Sequence, residues 1–270
     1  MKAIIVAGGR GERLRPLTDK IPKPLIKIGN KSLIEHSIDL LKTNGIIDIT
    51  ILLCYLPEKI VEALGDGKKL GVRINYLYED PKKPLGTAGN IYKAREFLDR
   101  TFIVTYADII RQLDLKKMIK NHKKNKAIAT IHTYKRHGPN PKSMIMFDKN
   151  GCIERFVERP FLKLDARFPD SVGLLPSPSR TAGLRTSQFA IKRTSSLTHS
   201  YVWANGSFYI FEPEIFDYIP KNKPCDFAKD VFPSLLKNKK RLFAFPYSKF
   251  FIDVGTHEKL KKARKTSFGV

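Results

Sequence analysis

The residues best suited to chemistry sit near the start of the chain, where Gly8-Gly9-Arg10-Gly11-Glu12-Arg13-Leu14-Arg15 directly follows a short β-branched run. Glycines let a backbone approach a ligand closely, and the N–H groups of such a turn bind phosphate oxygens. Arg10, Arg13 and Arg15 add three guanidiniums to one loop, which suits several phosphates better than one. Lys23 lies between Pro22 and Pro24, whose rings remove backbone freedom and so fix where the lysine points. The loop lacks both the third glycine of a dinucleotide fingerprint and the Gly-Lys-Ser/Thr of a P-loop. The chemistry indicated is binding of a polyphosphate by backbone amides and arginines, with a lysine aimed at the same anion.

The elements that must position these groups read as alternating strands and helices. KAIIVA is a buried parallel strand feeding the glycine loop, and residues 32–44 carry apolar side chains at helical spacing. Ser32 and Glu35 form a capping-box pattern at the start of that helix, and Gly45 follows its end. Strands are expected at 48–54, 72–78 and 101–106, with a helix at 57–64, a Pro/Gly loop through Gly89 and a helix at 91–97. Residues 114–124 read as a helix, 128–134, 143–147 and 153–157 as strands, and 203–211 as a further strand. Helices near 213–218 and 227–236 precede strands at 241–246 and 250–253. This alternation predicts an α/β fold with right-handed crossovers, in which ligands bind at the carboxyl ends of the strands. The glycine loop and Asp108 both fall at such ends. Of the 40 residues from Phe161 to Ser200, 16 are Ser, Thr, Pro or Gly and no period persists, so this stretch is expected to be a long loop.

Composition narrows the class. The 270 residues carry 50 Lys plus Arg against 26 Asp plus Glu, a formal charge of +24, yet 42% hydrophobic content excludes a disordered basic chain. No apolar run is long enough to cross a bilayer, and Ala3 to Ala7 is too short for a secretory core, so a cytoplasmic protein is expected. Cys54, Cys152 and Cys225 lie too far apart to suggest a metal pair or a disulfide framework. Between Arg111 and Lys142 there are ten Lys or Arg and one acid, Asp114, but without the aromatic interleaving of a single-strand binder. Nucleic acid is therefore not expected as the partner, and a solvated lysine-rich surface accounts for most of the charge.

Taken in order, the segments VAGGRGERLRPLTDKIPKPL (6–25), PLGTAGN (84–90), Asp108 at a strand end, VERP (157–160), NGSFYIFEPEIFDYIP (from Asn205), KDVFPSLL (from Lys229) and IDVGTHEKL (from Ile252) resemble the sugar-1-phosphate nucleotidylyltransferases. The resemblance covers nearly the whole chain except 161–200. It implies one Rossmann-like domain over 1–270, a three-layer sandwich with a mixed, mainly parallel central sheet and an atypical insertion at about 161–200. It also implies transfer of a nucleoside monophosphate from a nucleoside triphosphate to a sugar 1-phosphate, releasing pyrophosphate.

By the same resemblance, Arg13 holds the triphosphate and the departing pyrophosphate, and Lys23 faces the α-phosphate and the sugar phosphate. Asp108 and Asp253 hold Mg²⁺. Ala7, Gly8, Gly9, Gly11, Gly86 and Thr87 bind the nucleotide, with the backbone of Gly86–Gly89 reading the base. Glu158, Arg159 and Asn205 hold the sugar phosphate, Arg159 standing where a lysine is usual. A small homo-oligomer is expected on the resemblance alone.

The sequence departs from the family pattern at Ala107 in place of a Gly, at Gly206-Ser207 in place of Ala-Gly, and at Ser143 in place of a Gly near the sugar. The segment 161–200 is expected to form a lid or partner surface, so that deleting 164–198 changes the KM for sugar phosphate and spares nucleotide binding. Alternatives are a nucleotidyltransferase acting on a non-sugar phosphate, and a non-catalytic nucleotide- or sugar-binding regulatory protein of the same fold. Base and sugar stay open.

Overall fold

The computed structural model describes residues 1–138, 141–159, 201–247 and 249–266. The expected lid at 161–200 lies outside the described residues.

Among the described residues the central sheet has nine strands. One edge begins with Ile153–Glu158, followed by Ser143–Phe147, Tyr201–Phe211, Phe102–Tyr106, Lys2–Val6, Asp48–Leu53 and Arg73–Tyr78. Ala129–His137 pairs with Tyr201–Phe211 and carries Leu242–Pro246 beside it. The sheet is mixed. The half holding the N-terminal strand is parallel, with Lys2–Val6 flanked by Asp48–Leu53 and Phe102–Tyr106 in the same direction, whereas Tyr201–Phe211 runs antiparallel to its neighbours.

Strand alternation distributes the apolar residues to two faces. Ala3, Ile5, Ala7 and Ile103 pack with Ile34, Ile38, Leu41, Ile60 and Met118 from helices Leu33–Lys42, Pro57–Leu64 and Leu115–Asn125. Ile4, Phe102 and Val104 pack on the other face against Ile91, Phe227, Phe232 and Leu235. Helices therefore cover both faces, giving the three layers expected. Fully burying each large apolar side chain contributes about 1.5–3 kcal/mol, and these two clusters hold the strand ends in register.

Several elements differ from the sequence reading. The Pro/Gly loop through Gly89 is instead the start of a helix, Gly86–Tyr92, and the helix expected at 91–97 is reduced to a 3₁₀ turn at Arg95–Phe97. Residues 213–218 are a 3₁₀ segment, and 227–236 divides into a π turn and a short α-helix. Unexpected elements are the strand Ile109–Arg111, which pairs with Phe251–Asp253, and the helix His257–Lys265. The capping box forms as read: Glu35 accepts from the Ser32 backbone N–H at 2.6 Å.

Candidate active site

Register brings the key strand ends into line, since Val6 lies opposite both Leu52 and Tyr106. The ladder continues for one more residue, with Ala7 N–H donating to the Leu52 carbonyl (2.8 Å) and Ala107 N–H to the Val6 carbonyl (3.0 Å). Beyond that edge opens a cleft of about 300 Å³, lined among others by Ala7, Gly8, Gly9, Lys23, Gly86, Thr87 and Asp108. Seven of the residues expected to bind substrate or metal thus converge on one cavity. Gly11, Arg13, Glu158, Arg159, Asn205 and Asp253 do not line it.

The glycines do different work. A Cβ at Gly8 would sit 3.0 Å from Cys54 Cβ, whereas nothing lies within 4 Å of one at Gly9. Gly11 has φ +68° and packs against Thr18 and Lys23, so it shapes the loop behind the cleft. Gly86 has φ +70°, and a Cβ there would lie 2.6 Å from the Cys225 carbonyl oxygen. That carbonyl accepts the N–H groups of Ala88 (3.0 Å) and Gly89 (3.2 Å). The expectation that the whole Gly86–Gly89 backbone reads a base therefore needs correction: two of its amides are committed to Cys225, and only Gly86 and Thr87 face the cleft.

At the other end of the cleft, Lys23 sits in a 3₁₀ turn and its Nζ lies 2.5 Å from Asp108 Oδ2. The second acid arrives by strand pairing. Asp253 lies opposite Ile109, and Val254 N–H donates to the Asp108 carbonyl at 2.9 Å. Asp253 pairs with Lys142 and, at 3.8 Å, with Lys259. Burial alone would raise the Asp253 pKa, but Lys142, Lys259 and Lys23 together hold it below the usual carboxylate range. Lys259 is pushed down by burial and by the neighbouring cations Lys142 and Arg13, against the pull of Asp253. Arg13 belongs to this group too: a Cβ at Gly255 would meet Arg13 Nη2 at 2.9 Å and Asp253 Oδ1 at 3.2 Å.

Two carboxylates at adjacent strand ends, with no third His, Cys, Asp or Glu grouped with them among the described residues, suit a hard divalent cation that takes its other ligands from substrate and water. The lysines on both acids place positive charge where such an ion would be held.

Tyr201–Phe211 shifts register between Asn205 and Tyr209, and the bulged residues face the remaining site. Asn205 N–H donates to Ser143 Oγ (2.8 Å), its Nδ2 donates to Tyr209 OH (2.8 Å), and its Oδ1 accepts the Ser207 N–H (2.9 Å). The hydroxyl at 143, a departure from the family pattern, therefore anchors Asn205. Gly206 is required beside it, because a Cβ there would fall 2.2 Å from His132 Nδ1.

Glu158 ends its strand opposite Ser143. Its pKa rises to about 7, first through burial and next through the charge of Asp226, despite Arg159, Lys229 and Lys142. Arg159 is exposed with φ +49°, and its N–H donates to the Lys142 carbonyl at 2.7 Å. Asp226 accepts from Thr87 Oγ1 at 3.1 Å and so links the cleft to Glu158.

Lys142, Lys259, Asp226, Glu79 and Arg111 were not anticipated. Asp226 had one signal, an Asp placed to cap the following turn, which its side chain does by accepting from Ala228 and Lys229 N–H. The others needed the sheet pairing to be known. A larger hollow, of about 430 Å³, lies around Lys2, Asp48 and Arg73, at the amino ends of the parallel strands and away from all these groups. Among the described residues no helix is long and apolar enough to cross a membrane.

Comparison with known proteins agrees with the geometry. The family model described as nucleotidyl transferase matches residues 2–267. The chain is 32% identical over 267 residues to the UTP–glucose-1-phosphate uridylyltransferase of Synechocystis, and 33% identical over 261 residues to the mannose-1-phosphate guanyltransferase of Saccharomyces cerevisiae. Each match covers 94% of this chain but only 60% and 61% of those relatives, so the chain spans about three-fifths of their length. Among solved structures, HddC from Yersinia pseudotuberculosis superposes with a TM-score of 0.71 at 23% identity, covering 98% of both chains, which establishes a shared fold. A Bacillus anthracis structure superposes with a TM-score of 0.75 at 22% identity, covering 100% of this chain and 98% of that one.

Proposed function

The chain belongs to the nucleotidyl transferase family, and on that premise we propose that it transfers a nucleoside monophosphate from a nucleoside triphosphate to a sugar 1-phosphate, releasing pyrophosphate. The observation that carries this reading is the meeting at one sheet edge of the Gly8–Gly86–Thr87 cleft with the Asp108 and Asp253 carboxylates and their lysines.

In this reaction a phosphate oxygen of the sugar 1-phosphate attacks the α-phosphorus in line, and the bond to the pyrophosphate oxygen breaks. Two anions must approach and a third must leave, so the demand is charge neutralisation and positioning. Lys23 neutralises the α-phosphate from the floor of the cleft. Arg13, beside Gly255, receives the charge that develops on the leaving pyrophosphate. Lys142 lies between Asp253 and the Glu158 strand and screens the incoming sugar phosphate, with Arg159 as a second cation there. Glu158, when ionised, accepts from sugar hydroxyls, and Asn205 exchanges its Tyr209 contact for one to the sugar. Asp108 and Asp253 would hold a Mg²⁺, which would supply positive charge to the phosphates.

The test is pyrophosphate release with Mg²⁺ across a grid of five nucleoside triphosphates and common sugar 1-phosphates, with Asp108→Asn as the blank. One productive pair that is silent in the variant supports the reading. A grid silent throughout, with nucleotide binding intact, favours a binding protein of the same fold.

A further inference from the structure

We infer that the helix Leu115–Asn125 docks the protein on an anionic lipid surface, through a face built of lysines. The inference is independent of the reaction proposed above. The helix buries Leu115, Met118 and His122, and the first two pack into the layer of Ile34, Ile38 and Ile60. Every exposed residue of the helix is a lysine: Lys116, Lys117, Lys120, Lys123 and Lys124. Lys116, Lys120 and Lys123 are spaced i, i+4 and i+7, and Lys117 and Lys124 lie seven apart, so they form two adjacent rows pointing away from the core. The helix contains no acid, and none of the five has an ion-pair partner among the described residues. The positive stretch continues past the helix end, where Lys126 is exposed and Arg241 Nη1 donates to the Asn125 carbonyl at 3.3 Å.

This arrangement works against the helix itself. Lys120 stands four residues from Lys116 and Lys124 and three from Lys117 and Lys123, so four like charges surround it. Lys116 and Lys117 occupy the first turn, where the helix dipole disfavours cations and no acid offsets them. Asp114, just before that turn, is committed to the cap and accepts the Lys117 N–H at 3.0 Å. A face that served solubility alone would mix both signs, as the exposed pairs Lys31–Asp39 and Lys240–Glu214 do elsewhere. An extended anion lying over the helix relieves the repulsion.

An anionic bilayer fits this face best. Lysine ammoniums are hydrated point charges on long stems, suited to a diffuse plane of phosphates, and each one near such a surface strengthens binding about five-fold. Nucleic-acid binding draws on arginine forks and stacked aromatic rings, and the exposed face of this helix has neither. The helix covers one face of the sheet, whereas the cleft opens at the strand ends. A protein lying on these lysines therefore keeps its cleft open to soluble ligands.

The experiment is cosedimentation of the full chain with vesicles of phosphatidylcholine, alone or mixed with phosphatidylglycerol, at low and high salt. Binding is expected only to the mixed vesicles and is lost at high salt. The triple variant Lys116→Gln, Lys120→Gln, Lys124→Gln is expected to bind them about 100-fold more weakly. Its urea midpoint should match or exceed that of the wild type, because glutamine is an equally good helix former and the repulsion is gone. A control variant, Lys261→Gln, Lys262→Gln, Lys265→Gln, removes the same charge from the helix His257–Lys265 and should keep most of the binding. Equal losses in the two triple variants would assign the effect to total charge and overturn the inference. Equal binding to neutral vesicles, or no binding to either kind, would also overturn it. Retention of duplex DNA or RNA in place of vesicles would overturn it in favour of nucleic acid.

Discussion

The ammonium of Lys23 lies 2.5 Å from the carboxylate of Asp108, with the lysine side chain nearly buried and the acid one-third exposed. The proposed role of Asp108 is to hold a cation, and in the free protein Lys23 already neutralises it. In the proposed reaction the lysine would leave the acid for the α-phosphate, freeing Asp108 for the cation. Lys23→Met should therefore lower kcat by about 10²–10³-fold, the scale of removing one preorganised charge from a phosphoryl site. The same variant should reach half-maximal rate at lower Mg²⁺, because Asp108 no longer has a competing partner. Rates measured across a Mg²⁺ series check this, and a higher Mg²⁺ requirement in the variant would refute the exchange.

Glu158, with its pKa raised to about 7 by burial and by Asp226, should impose a pH dependence on sugar binding. The KM for sugar 1-phosphate should fall as pH rises through 7 and the carboxylate ionises, and Glu158→Gln should remove that step. Comparison with the variant separates this group from the second ionisation of the sugar phosphate itself. The sign for stability is opposite. A carboxyl whose folded pKa lies above its unfolded 4.5 takes up a proton on folding, so its contribution is full below pH 4.5 and is lost as pH rises through about 7. Urea midpoints of wild type and Glu158→Gln between pH 5 and 8 should converge at low pH and diverge at high pH.

Gly206→Ala restores the residue that the family pattern places there, yet here it should destabilise the protein. Its new Cβ would fall 2.2 Å from His132 Nδ1 and 2.8 Å from the His132 carbonyl oxygen. Overpacking of this kind costs about 1–3 kcal/mol. His132→Ala in the same chain should recover part of the loss, and denaturant titrations of the two single variants and the double variant measure the coupling. Additive costs would mean that the two residues do not compete for one space.

Arg111 connects the strand that carries the proposed metal acids to the bulge that carries Asn205. Its Nη1 donates to the Gly206 carbonyl at 2.6 Å, its guanidinium sits 5.2 Å over the Phe208 ring, and Nη2 is buried without a hydrogen-bond partner among the described residues. Burial drives its pKa down to about 9, against the charge of Asp108. Arg111→Met should raise the KM for sugar phosphate by about 10-fold and leave nucleotide affinity unchanged, while the Gly206 carbonyl that loses its donor costs about 1–3 kcal/mol of stability. Equal losses in both substrates would assign Arg111 a purely structural role.

The glycine loop, Lys23 and Asp108 were legible because a strand end, a run of glycines and a proline clamp are all local signals. The helix at Leu33–Lys42 was legible down to its cap for the same reason. The helix at Gly86–Tyr92 was hidden because glycine-rich composition argues for a loop, and only the Cys225 carbonyl, 136 residues beyond Gly89, supplies the partner for its first amides. Lys142, Arg111 and Glu79 reach the site through pairing between distant strands, which no periodicity encodes. In the sequence, 143 and 206 stand only as departures from the family pattern. In the fold they fit their neighbours: Ser143 holds Asn205, and Gly206 yields space to His132.

The proposed sugar-side residues at 205–207 lie inside a continuous strand, flanked on both sides by stretches locked in register with Ala129–His137. Between Asn205 and Tyr209 the strand carries two more residues than its partner, and this bulge keeps Phe208 and Ile210 in one layer and Tyr209 and Phe211 in the other. A bulge absorbs a change of length locally, so this stretch can gain or lose residues without turning over the apolar side chains that follow it.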